Sequence, residues 1–150
     1  MNRYDFQELA RLRLQEAQVL LQHGCAEGAY YLAGYVVECA LKACIARLTK
    51  EYDFPPDGQK IKEIYTHDLK KLLKSAGLEM ENERQMKADK NFAVNWKLVE
   101  AWSEKKRYEK GTSLREAEEI IQALIDENGG ILKWLKKHWQ MNILRKQLNY

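Results

Sequence analysis

The stretch YYLAGYVVECALKACIARL, Tyr30 to Leu48, decides the fold class. Its apolar positions wrap most of a helical circumference, which predicts a helix buried on several sides. Glu38 and Lys42 stand one helical turn apart near its middle, with the glutamate first, the favourable order for an i, i+4 pair. The commoner meaning of such a pair is a solvated rim contact of a few tenths of a kcal/mol. The sharper alternative is that burial forces the two charges to pair, leaving a lysine near a pocket. A bilayer span needs about 20 nearly uncharged residues. Glu38, Lys42 and Arg47 interrupt this run, so no membrane span is expected.

Working outward, the chain reads as helices. The whole sequence has two prolines, Pro55 and Pro56, which leaves room for long helices on either side. No segment of strand length alternates apolar and polar residues with β-branched enrichment, so the fold class is all-α. A first helix is expected from about Asp5 to Gln22, its inner face formed by Phe6, Leu9, Ala10, Ala17, Leu20 and Leu21, with Gly24 as its stop. The central helix follows from about Ala26 to Lys50, and EYDFPPDGQKIKEIY after it reads as a loop. THDLKKLLKSAG reads as a short helix with Thr66 as N-cap and Leu69, Leu72, Leu73 and Ala76 inside.

The polar run EMENERQMKADKN is expected to be a linker or a frayed helix start. Beyond it a helix from about Asn91 to Tyr108 offers Phe92, Trp96, Val99 and Trp102 as anchors, in the core or at an interface. Ser113 and Glu116 have capping-box spacing before another periodic run. A last helix starts near Ile131. Its Lys133, Lys136, Lys137, Arg145 and Lys146 face no acidic residue, which most often means a solvated surface and otherwise an anionic partner.

With 150 residues, 45% of them hydrophobic and 31% charged, the chain fits one soluble domain with a real core. Cys25, Cys39 and Cys44 are odd in number and lack metal or redox spacing, which fits a reduced, cytoplasmic setting. There is no Walker A loop, no dinucleotide fingerprint and no His-Glu-x-x-His, so no metal or cofactor is expected. His67 reads first as a capping or packing histidine and Arg107 as a dipole complement at a helix end.

Taken in order, LLQHG, YYLAGYVVECALKA with its Glu-x-x-x-Lys, THDLKKLL and the tryptophan helix ending in Arg107-Tyr108 resemble the HEPN domain family, over about Phe6 to Ile125. The resemblance implies an up-and-down bundle of four or five helices, commonly dimeric, with an extra C-terminal helix here. That gives a single domain over residues 1–150, with a core of about 5–127 and a basic helical extension over 131–150. Many members of the family are ribonucleases, including toxins paired with small nucleotidyltransferase antitoxins. Their site is an arginine followed four to six residues later by a histidine, converging from two subunits. Histidine would act as acid or base on the 2′-hydroxyl and arginine would stabilise phosphate charge.

In this sequence no arginine is followed by a histidine at that spacing. The expectation is therefore a non-catalytic, dimeric module with no catalytic residues. It would bind nucleotide or RNA, or dock a partner nucleotidyltransferase, through Glu38, Lys42, His67, Arg107 and Tyr108. The alternatives are a metal-independent ribonuclease toxin, using His67 or His138 with Arg107, and a scaffold whose only role is dimerisation.

Overall fold

The computed structural model describes residues 1–48, 64–108 and 110–148, with side chains described except at 106, 107 and 141–148. The expected Pro-Pro loop, the last residues of the central helix, and the side chains of Arg107, Arg145 and Lys146 lie outside the described residues. Within them the fold is all-helical. The α-helices are α1 (Arg3–Gln22), α2 (Ala26–Leu48), α3 (Leu69–Ser75), α4 (Glu79–Ala88), α5 (Lys90–Glu100), α6 (Leu114–Ile125) and α7 (Ile131–Leu148), and a 3-10 turn spans Glu104–Tyr108.

α1 begins at a reciprocal cap, in which the Asn2 side chain accepts from the Asp5 amide while the Asp5 side chain accepts from the Asn2 amide. It ends where Gly24 takes a positive φ of 76°, a conformation that suits glycine. The turn is so short that α2 must double back along α1 as an antiparallel hairpin. α1 lays Ala10 and Ala17 flat against the core, with Phe6, Leu9, Leu14, Leu20 and Leu21 packed beside them.

α2 is the axis of the bundle, with α1, α3, α6, α7 and the 3-10 turn all packed against it. Ala29, Ala33, Val36, Val37, Ala40, Leu41, Ala43 and Cys44 are fully buried. By length and composition α2 is apolar enough to cross a membrane, but most of it lies inside the bundle, as in the core helix of a globular fold. Its small residues let neighbours approach closely. A Cβ placed on Gly34 would lie 2.0 Å from Trp102 Cε2, so the indole occupies the space that any side chain there would need.

Four local expectations are corrected. Asp68, not Thr66, caps α3: its carboxylate accepts from the Lys70 and Lys71 amides, while the Thr66 hydroxyl accepts from the Asp68 amide. The polar run after Leu78 is a helix, α4, lying against α5. The tryptophan helix ends at Glu100, so Trp102 sits in a break before the 3-10 turn. Finally, α7 is no appendage. Ile131, Leu132, Trp134, Leu135 and Trp139 are buried, with Trp134 edge-on to both Phe92 and Trp96. Trp96 and Trp102 are buried within the chain itself. The capping box at Ser113 and Glu116 forms as expected.

Candidate functional site

Glu38 is 1% exposed, an expensive position for a carboxylate unless cations or donors surround it. Two side chains do so. Lys42, one turn on, brings Nζ to 3.3 Å from Oε2, its own side chain 11% exposed. His67, from the segment leading into α3, places Nδ1 2.6 Å from Oε1. The carboxylate is thus buried and its lysine nearly so, which rules out the rim reading, while Lys42 is not among the residues that wall the pocket beside His67. The other ring nitrogen of His67, Nε2, lies 3.2 Å from Oε2 of Glu104, at the start of the 3-10 turn. His67 therefore ties three pieces of chain together: α2, the approach to α3, and the turn after α5.

Asp68 makes this possible. By capping α3 it fixes the backbone that carries the preceding histidine, while Leu69, Leu72 and Leu73 anchor the helix in the core. On the opposite side, Trp102 is clamped between Gly34 and Tyr31, whose ring centroid lies 6.1 Å from that of the indole. Its Nε1 is buried and meets no acceptor among the described residues. The tryptophan fixes where the turn begins, and so where Glu104 reaches.

A pocket of about 380 Å³ opens beside His67, walled by Thr66–Lys70 on one side and by Glu100 and Trp102–Lys105 on the other. Lys70 and Glu100 bridge its far side at 2.9 Å. The Lys70 ammonium is held above its usual range by the hydrogen bond and charge of Glu100. Behind the site, burial and then the Glu38 charge push the Tyr35 phenol up, so it stays a neutral hydroxyl. Burial likewise pushes the Cys39 thiol to about 12, which makes it a small apolar filler rather than a nucleophile. Among the described residues no three His, Cys, Asp or Glu side chains are grouped to hold a metal ion.

Of the five residues singled out from sequence, Glu38, Lys42 and His67 meet. Arg107 lies on the 3-10 turn, its side chain outside the described set, and Tyr108 at the end of the turn is exposed. Glu104, Lys70 and Glu100 were missed. Nothing in the spacing of WSEKKRY distinguishes Glu104 from any exposed glutamate, because its partner is chosen by the tertiary fold.

A helical bundle built on a central apolar helix, with a buried Glu-x-x-x-Lys and a following His-Asp-Leu step, defines the class. The model of the HEPN domain family matches residues 5–139, and the chain belongs to that family. The match runs past the expected core into α7, in agreement with the burial of that helix. No match was found among curated proteins or among solved structures.

Proposed function

We propose that this HEPN domain is a non-catalytic binding module for a nucleotide or a short single-stranded RNA, held in the pocket beside His67. The observation that carries this reading is the pocket beside His67, with Lys105 and several hydrogen-bonding groups in its wall, in a chain where no arginine stands at the family's catalytic spacing. Lys105 supplies a cation at the pocket wall for phosphate, Lys70 being paired with Glu100, and the polar groups around it suit a ligand with several hydrogen-bonding atoms. As a dimer, the module would present two such pockets, and a nucleotidyltransferase would be a partner that docks on it.

The test is a titration of the full chain with AMP, ATP and a short unstructured RNA at low and high salt. Saturable binding that weakens with salt, and weakens further in Lys105→Glu, is the expected result. The absence of binding to all three probes would overturn it. The buried carboxylate on Nδ1 also matches the orienting half of an acid–base pair, which favours the ribonuclease as the second reading. RNA cleaved without metal, and left intact by His67→Ala, would replace the first reading with the second.

A further inference from the structure

We propose that His67 and Glu104 form a proton-controlled latch over the pocket, closed when the imidazole is charged and released when it is neutral. A carboxylate only accepts, and an imidazole has two N–H donors only when protonated. With Glu38 at 2.6 Å from Nδ1 and Glu104 at 3.2 Å from Nε2, the arrangement is attractive at both ends only for the charged ring.

Loss of the proton forces a choice, and burial makes it. Glu38 is 1% exposed and cannot exchange a lost donor for water, so Nδ1 keeps its hydrogen. The side chain of Glu104 is 39% exposed and has water within reach. The Nε2 lone pair then faces a carboxylate oxygen, and Glu104 swings out. That movement bares Nε2 to the pocket and unties the 3-10 turn from the approach to α3.

The other charges around the ring do not offset this. On α2, Lys42 is committed to Glu38. Next to the ring in sequence, Asp68 spends its carboxylate on the first amides of α3. Lys70 of α3 and Glu100 of α5 neutralise each other at 2.9 Å. On the turn, Lys105 is exposed and screened by solvent. Among the described side chains, the two carboxylates on the ring therefore decide the response.

The latch does not depend on which ligand the pocket takes, so it is tested without one. Amide hydrogen exchange across Ser103–Tyr108, corrected for the pH dependence of chemical exchange, is compared at pH 5.5 and 8.5 in the full chain. Protection in the wild type is expected to drop about two- to fivefold as the pH rises, the scale of a half-exposed ion pair. Glu104→Gln should show no such drop, because a neutral amide can pair with either form of the ring, whereas Glu100→Gln should keep the wild-type response. Nitrogen shifts of the His67 ring should report Nδ1–H as the neutral tautomer. An unchanged wild type, a Glu104→Gln variant with the wild-type response, or the Nε2–H tautomer would each overturn the latch. None of those results bears on whether nucleotide binds.

Discussion

At the scale of single residues, Glu38 is where sequence and physics meet most sharply. The Glu-x-x-x-Lys spacing was legible, but the spacing alone favoured a surface pair. Only the fold shows that the carboxylate is buried against Lys42 and His67. A buried ion pair adds little over a well-packed apolar substitute, whereas removing one partner strands the other charge. Glu38→Ala, which strands a lysine only 11% exposed, is therefore expected to cost about 3–5 kcal/mol. The double change Glu38→Leu with Lys42→Met should recover much of that loss. Urea denaturation of Glu38→Leu, Lys42→Met and the double gives the coupling, and simple additivity would show that the two charges do not depend on one another. His138 makes a second, opposite case. Burial, then the charge of Arg47, lowers its pKa, and its ring stands edge-on to Trp134. The unfolded chain takes up this proton first as pH falls. The stability it contributes is thus whole above about pH 6.5 and is lost as pH drops through the folded pKa below that. His138→Gln should flatten the slope of stability between pH 7 and 5.5 in denaturation curves, and an unaltered slope would assign it to other groups.

At the scale of elements, what the sequence reveals depends on where each boundary is decided. α1 and α6 start at caps written into neighbouring residues, Asn2 with Asp5 and Ser113 with Glu116, and α1 stops at a glycine; the cap of α6 was readable for that reason. α4 was not readable. Asn82 is its only buried residue, so it has almost no apolar stripe to detect, and its place is set by α5. The end of α5 was missed for a related reason: no glycine or proline marks it. The chain leaves the helix after Glu100, and Trp102 then packs onto Gly34, a contact between distant parts of the sequence. The same limit hid Glu104, which the tryptophan positions. Gly34→Ala therefore tests the element junction. A methyl group there would meet the indole at 2.0–2.2 Å, and the expected cost is about 1–3 kcal/mol or more from overpacking. Because the clash is with one ring, adding Gly34→Ala to a Trp102→Ala background should cost far less than it does in the wild type. Equal costs in both backgrounds, read from thermal or urea unfolding, would place the strain elsewhere.

At the scale of the whole molecule, the decisive fact is that the last helix closes the core. Its lysines, read along the sequence, suggested a basic extension beyond a finished bundle. Periodicity gave a helix but did not say whether its apolar side had a partner. In the fold, Trp139 and Leu135 are fully buried and Cys44 of α2 lies 3.8 Å from the Leu135 carbonyl, while Arg47 donates to the His138 carbonyl. α2, which carries Glu38 and Lys42, is thus held from one side by α1 and from another by α7, and the site inherits its rigidity from both. Each large side chain fully removed from water contributes about 1.5–3 kcal/mol, and a domain's whole stability is only about 5–15 kcal/mol. Deleting five such residues forfeits an amount comparable to that whole margin. A chain ending at Gly130 should therefore lose cooperative unfolding and expose apolar surface. A chain ending at Gln140, which keeps Ile131 through Trp139, should keep a single cooperative transition. Circular dichroism melts and dye binding on the two truncations separate the cases. If the shorter chain still melted cooperatively near the full-length midpoint, α7 would be an addition after all, and the anchoring of α2 would have to come from α1, α3 and α6 alone.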